Sequence, residues 1–391
     1  MDSRSQRLST RLNQLWDRGL LPRPDFGQLQ ADADRLADET AAGVAYDWRG
    51  PFEDLLASLT EEARLNAVGL TFSYVQIGGL LRQRRAAWAL WRKHPGILDM
   101  PVTAPVIILG QMRSGTTRLQ RLLGCDTRFN HSRFFEVMEP LPPRPDLRVV
   151  KSWAQLKMLD YLNPELRRIH PTAATAVEEV FGLHSFSFYG AQIEAQWHVP
   201  AFVRRWQAAD RGPVYAEFRQ LLQTIAWQRG DATRPWVLKA PQFMEDLDEL
   251  LRVFPDARLI CLHRDARDIT ASTASLVWNQ RRVQSDEADR REIGREWLMK
   301  TERRQRVCAT VRKSRPDIQQ IDLSFAAMND DWRAEMERLY DFLGMSIDDK
   351  VIGRMARYLH VSEKSGFRSH RYRLEDFGVS ADDVRKSFEP V

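Results

Sequence analysis

Cysteine is scarce in this sequence, and the few present are poorly spaced for structural chemistry. Cys125, Cys261 and Cys308 form an odd set without CxxC spacing, which excludes a disulfide framework and a cysteine-built zinc site and fits a reducing, cytoplasmic setting. Long apolar runs are missing too. The longest weakly polar stretch, Ala67 to Leu81, carries Thr71, Ser73, Tyr74, Gln76 and a Gly78-Gly79 pair, and so falls short of the ~20 apolar residues of a spanning helix. The opening Met1 to Leu21 is polar and charged, without the apolar segment of a secretory signal. Neither sign of charge dominates. The balance of 58 Lys+Arg against 53 Asp+Glu, a net +5, suits a local anion pocket and not a nucleic-acid groove. No internal repeat or low-complexity tract is found. The chain does have apolar bulk, 43% hydrophobic residues with 12 Trp and 18 Phe, sufficient for one large core or a core with a helical subdomain.

Residues 1 to 100 read as a helical N-terminal extension. Phe52, Leu55, Leu56 and Leu59 follow the i, i+3, i+4, i+7 pattern, and Thr60 is expected to cap the next helix. From Pro105 the pattern changes. Val106-Ile107-Ile108-Leu109 is a short apolar run ending in Gly110, as a buried parallel strand requires, and a helix with Leu119, Leu122 and Leu123 on one face follows. The alternation returns at Trp236 to Leu238 with a helix burying Leu247, Leu250, Leu251 and Phe254. It returns again at Arg258 to Leu262, and at Ile321, Leu323 and Phe325, followed by a helix carrying Trp332, Met336, Leu339, Tyr340 and Leu343. Strands interleaved with helices predict an α/β fold, a P-loop-like parallel sheet flanked by helices. The sheet domain is expected over 101–391, with a helical insertion at 151–230.

Gly110-Gln111-Met112-Arg113-Ser114-Gly115-Thr116-Thr117 lies between the first strand and its helix, where backbone N–H groups and a helix N-terminus make an anion site. Its G-x4-G frame is that of a P-loop, yet Thr116 stands where a nucleotide triphosphatase keeps its lysine, and the nearest cation is Arg113. Without that lysine and its metal partner, ATP chemistry is disfavoured. At the end of a later strand, Arg264 is followed eight residues on by Ser272, at the edge where ligands gather in open α/β sheets. Lys239 ends another strand, a costly place for an unpartnered ammonium.

The segment RSGTT resembles the 5′-phosphosulfate loop of sulfotransferases. The chain from about Pro51 onward is similar to the bacterial, mycobacterial-type sulfotransferase family. The likeness runs through PFEDLLASLTEEARLNAVG, RSGTT, FFEVMEPLPP, HPTAATAVEEV, VLKAPQF, LHRDARDITAS and SHRYRLEDFGVS. It implies transfer of a sulfuryl group from 3′-phosphoadenosine 5′-phosphosulfate (PAPS) to an acceptor hydroxyl, with no metal. By the same resemblance Arg113, Ser114, Gly115, Thr116 and Thr117 hold the phosphosulfate, and Arg264 and Ser272 the 3′-phosphate. Lys239 meets the leaving oxygen, and the tail with Lys364, Arg368 and His370 closes over the donor. Pro241 occupies the place where cytosolic sulfotransferases keep a histidine base, and Phe243 the place where many bacterial relatives have one in an LKxPxH pattern. A carboxylate is therefore expected as base. Glu136 is the first choice, in the place of a catalytic Glu of protein-tyrosine sulfotransferases, and Glu178, Glu179, His170 and His184 are its competitors.

Phe181, Phe186, Phe188 and Tyr189 follow those carboxylates and either wall an apolar acceptor pocket or belong to the core. Leu80 to Arg85 with Trp88 and Trp91 either rests on a membrane or packs on the domain with a solvated basic face, the latter being expected. The acceptor is thus a small or lipid-like molecule. Two other readings stand beside the enzyme: a P-loop nucleotide kinase or triphosphatase, and a nucleotide-binding sulfotransferase-like protein that has lost catalysis.

Overall fold

The computed structural model describes residues 3–40, 46–231, 233–364 and 372–388. Five strands form its sheet: β1 (Val106–Leu109), β2 (Asn130–His131), β3 (Trp236–Lys239), β4 (Arg258–His263) and β5 (Gln320–Ser324). Their order is β2-β3-β1-β4-β5, every pairing parallel. The apolar runs alternate across the two faces. Ile107, Leu109, Trp236, Leu238, Leu259 and Cys261 point into one core, which the helices Gly212–Arg229 and Leu247–Val253 cover. Val106, Ile108, Val237, Ile260 and Leu262 point into the other, closed by Thr116–Leu123 and Trp332–Phe342. Burial on both faces is why these strands read as continuous apolar runs and not as alternating ones.

The region before the sheet is helical, as expected, in four helices over Arg4–Asp17, Phe26–Thr40, Arg49–Glu61 and Ala67–Lys93. Phe52, Leu55 and Leu59 share a core with Phe188, Tyr189, Trp197 and Phe202, so these helices pack onto the segment that follows the candidate carboxylates. Residues 151–230 are also mostly helical.

Several local expectations are corrected. Thr60 lies in the last turn of Arg49–Glu61 and donates back to Leu56 O, while Asn66 caps the next helix through Gly69 N. Phe325 does not continue β5; it opens the helix Phe325–Asp330, capped by Ser324. The basic face of Ala67–Lys93 is not wholly solvated. Leu80 and Leu81 are core, and Arg84 is buried in a bidentate pair with Glu217, 2.7 Å at each contact. Its guanidinium also donates to Phe186 O and stacks over Phe186 and Trp48.

Removing one partner of a buried pair strands the other charge. Glu217→Ala should therefore cost about 3–5 kcal/mol in urea denaturation. Arg85→Ala, which loses only an exposed pair with Glu39, should change stability by less than about 1 kcal/mol.

Candidate active site

The C-terminal ends of β1, β3 and β4 lie side by side. Ile108 pairs with Lys239 and Leu109 with Cys261, so the glycine loop, Lys239 and the Arg264 turn emerge at one edge of the sheet. The loop is tightly built. Ser114 Oγ donates to Gln111 O, Gln111 Nε2 to Thr301 O, and Thr273 Oγ1 to Met112 O. Gly115 has φ +93, and a Cβ there would stand 2.6 Å from the Phe325 ring. Arg113 takes φ +69 without being glycine, the kind of strain that surrounding structure must hold in place. Gly115 is the N-cap of Thr116–Leu123, and no side chain caps that end, which leaves its first N–H groups for an anion.

Arg113, Ser272 and Arg264 meet at this loop. Arg113 Nε donates to Ser272 Oγ at 3.0 Å and Nη1 to Ile169 O at 2.6 Å. Arg264 Nη1 donates to Arg113 O at 2.8 Å, and the Arg264 guanidinium lies 4.3 Å over the Phe325 ring. Arg264 also reaches Asp268 at 3.3 Å, on the solvent side. Arg113 therefore spends its hydrogen bonds on neutral oxygens. Burial, and then the charge of Arg264, lower its pKa below the usual guanidinium value. Among the described residues Arg264 Nε has no hydrogen-bond partner. Two adjacent cations, Arg113 held by neutral acceptors and Arg264 by a carbonyl and one exposed carboxylate with its Nε orphaned, fit an anionic ligand. Ser272 Oγ accepts from Arg113, which keeps its own O–H available as a donor.

Lys239, 2% exposed, pairs with Glu179, whose Oε1 also accepts from Thr117 Oγ1 at 3.1 Å. The carboxylate is delivered by backbone ties. Val180 N donates to Lys239 O, Glu178 N to Ser132 O, and Gln120 Nε2 and Ser132 Oγ both donate to Glu178 O. Glu178 is fully buried, within 3.3 Å of His170 Nε2, and accepts from Thr172 Oγ1 and from Glu179 N. Burial alone would raise its pKa, but the charge and hydrogen bond of His170, with Arg121 and Thr172, hold it at about 2. His170, Glu178 and Glu179 bring ligand-type atoms within 4.8 Å of one another. That donor set could hold a divalent cation, but Lys239 on Glu179 and Arg121 on Glu178 already supply the positive charge.

The other base candidates are engaged elsewhere. Glu136 forms a bidentate pair with Arg229 and caps its own helix through Arg133 N at 3.2 Å. His184 is fully buried among Tyr189, Tyr215, Phe218 and Phe243, and burial lowers its pKa to about 3. Phe186, Phe188 and Tyr189 are core, whereas Phe181 is half-buried. Arg368, His370 and the Lys364 side chain lie outside the described residues. No helix among the described residues is long and apolar enough to cross a membrane. Sequence reasoning missed the Glu179–Lys239–Thr117 contact; the one signal for it was the cost of burying Lys239 alone.

A glycine loop with cations gathered at neighbouring strand ends is an arrangement suited to an anionic ligand. The model of the sulfotransferase family matches residues 105–349, well over half of the chain, and the protein belongs to that family. Its fold is shared with two solved structures. Sulfotransferase STF1 from Mycobacterium tuberculosis H37Rv superposes with TM-score 0.75 at 24% identity, covering 94% of this chain and 99% of that one. Sulfotransferase STF9 from Mycobacterium avium gives TM-score 0.76 at 24% identity, covering 92% and 94%. None of the curated proteins matches this chain in sequence. The family and fold make the protein an enzyme of sulfuryl transfer.

The depressed pKa of Glu178 makes a pH prediction. A carboxylate held at about 2 in the fold and near 4.5 in the unfolded chain contributes stability that is complete above pH ~4.5 and lost as pH falls toward ~2. Glu178→Gln should be less stable than the parent at pH 6, with the gap closing on acidification below pH ~4.5. Urea midpoints measured at several pH values decide it; a gap that stays constant would refute the assignment.

Proposed function

We propose that this enzyme moves a sulfuryl group from PAPS to an acceptor hydroxyl. The observation that carries this reading is the meeting of Arg113, Arg264 and Ser272 beside a glycine loop that has no lysine, with Lys239 at the next strand end. In it, Arg113 and the loop amides hold the 5′-phosphosulfate, and Arg264 with the Ser272 hydroxyl takes the 3′-phosphate. The acceptor oxygen attacks sulfur as the bond from sulfur to the 5′-phosphate oxygen breaks. The electron pair stays on that oxygen, where the Lys239 ammonium stabilises the growing charge. Glu179 keeps the ammonium in place.

The acceptor proton goes to His170. Its Nε2 lies 3.3 Å from Glu178 and its ring reaches within 4.8 Å of Glu179; in this reading Nε2–H faces the carboxylate, Nδ1 accepts the proton, and the imidazolium so formed is the charge that lowers the Glu178 pKa. Glu178, at a pKa of about 2, is too weak a base for the step, and Glu136 is occupied by Arg229. The products are a sulfate ester and 3′-phosphoadenosine 5′-phosphate, and no metal takes part.

Calorimetry tests the donor assignment. 3′-Phosphoadenosine 5′-phosphate should bind far more tightly than ATP, which lacks the 3′-phosphate; equal affinities would overturn it. With radiolabelled PAPS and a panel of phenols and lipid alcohols, Lys239→Ala should lower kcat much more than donor affinity, whereas Arg113→Ala should weaken donor binding itself. His170→Ala should lose on the order of 10²-fold or more in rate with donor binding kept. Glu136→Gln should lose stability and retain turnover. If Glu136→Gln is inactive at normal donor affinity while His170→Ala turns over, the base is Glu136.

A further inference from the structure

The helix Arg148–Leu162 is held by its buried residues Arg148, Ser152 and Leu162, with Leu156 and Leu159 half-buried, and presents its remaining side outward. Leu147, Val150, Trp153, Met158 and Tyr161 are 47%, 62%, 58%, 46% and 58% exposed, and Val149 beside them 42%. Leu147, Val150 and Trp153 follow at three-residue spacing, as do Met158 and Tyr161, and these side chains share one broad side of the helix. Half of the large apolar side chains exposed on the described surface thus fall within fifteen residues, a concentration that marks an interaction surface and not scatter.

The stripe is edged with positive charge. Between 144 and 168 six basic side chains stand against three acidic ones. Each of those acids is already paired: Asp146 with Arg148, Asp160 with Arg167, Glu165 with Arg168. Lys157 lies 5.8 Å over the Trp153 ring, and Arg4 of the first helix 5.0 Å over the Tyr161 ring, its Nη1 donating to Tyr161 O. Aromatic rings with cations beside them, around an aliphatic stripe, are the composition of a helix that lies in the headgroup region of a bilayer. A two-fold contact with a second copy would set this basic rim against itself.

We propose that this helix docks the enzyme on an anionic lipid surface. The stripe enters the acyl boundary, and Lys157, Arg4 and Arg144 meet lipid phosphates. The placement serves the site. Asn163 ends the helix and caps Pro164–Ile169, whose last carbonyl receives Arg113, with His170 next in the chain. Docking is a binding property of the chain and stands whether or not PAPS is the donor.

Co-sedimentation of the full chain with vesicles tests it. Phosphatidylcholine vesicles containing phosphatidylglycerol should bind the protein at least tenfold more tightly than phosphatidylcholine alone, with binding weakened by salt. Val150→Ser combined with Trp153→Ser should reduce that binding at least tenfold, and Lys157→Glu severalfold. Circular dichroism and affinity for 3′-phosphoadenosine 5′-phosphate should be unchanged in both. Failure to bind anionic vesicles, unaltered binding by the variants, or a lipid-free dimer that the double substitution dissociates would each overturn the proposal.

Discussion

An ammonium group buried at the end of a strand must have an anion beside it, and Lys239 sets that requirement for the whole site. Leaving such a charge unpaired costs several kcal/mol, roughly the stability margin of a domain. Glu179 meets the need, but it comes from a segment some sixty residues earlier in the chain, so that segment must be bound to the sheet edge. The ties are visible: Val180 to the Lys239 carbonyl, Glu178 to Ser132, Gln120 to the Glu178 carbonyl, and an antiparallel bridge between Arg133 and Val177. Once 177–180 is fixed there, His170 and Thr172 close over Glu178 from outside. The geometry of the candidate site and the stability of the fold thus rest on the same contacts.

The loop solves the complementary problem of keeping positive charge uncommitted. Arg113 and Arg264 are anchored largely on carbonyl and hydroxyl oxygens, which fix orientation without neutralising charge. A loop lysine would add a flexible point charge, whereas two guanidiniums supply planar forks whose directions are fixed before the ligand arrives. The positive φ of Arg113 is held by its neighbours' ties to buried groups: Gln111 to the Thr301 carbonyl, and the Met112 carbonyl to the Thr273 hydroxyl. Behind them Arg304 is enclosed with Glu194 and Glu245, and Lys300 with Glu194 and Glu296. Such a network makes the helix Arg290–Ser314 a stiff backing for the loop.

β1, β3 and β4 were legible because burial on both faces writes itself as an apolar run, whereas β5, largely uncovered, was legible from the alternation of Ile321 and Leu323. β2 was not, since two residues carry no period, and Phe325 misled because alternation continues by chance into the helix after β5. Thr60 failed as a cap because it lies inside the helix that ends at Glu61, and the next helix begins only after Asn66, which takes the role. At the site, the loop and the strand-end cations could be read from local order, position after a strand being enough. Choosing among Glu136, Glu178 and Glu179 could not. Glu136 and Arg229 are ninety-three residues apart, Glu179 and Lys239 sixty, and only the folded chain decides which carboxylate meets which cation.

The same limit applies at the surface. Leu80 to Trp91 and Leu147 to Tyr161 have similar makeup, both helical and both mixing aliphatic residues with tryptophan and basic side chains. In the first, Arg84 finds Glu217 and Trp91 donates to Thr224 Oγ1 at 2.8 Å, so polar ends are satisfied inside and the apolar residues become core. In the second, Asp146, Asp160 and Glu165 pair locally with their neighbouring arginines, and Trp153 and Tyr161 stay exposed. Composition therefore sets what a helix can bury, while the position of distant carboxylates sets what it does bury. A basic aromatic stretch becomes an outward-facing surface when its acids are close in sequence and no distant acid draws its cations inward.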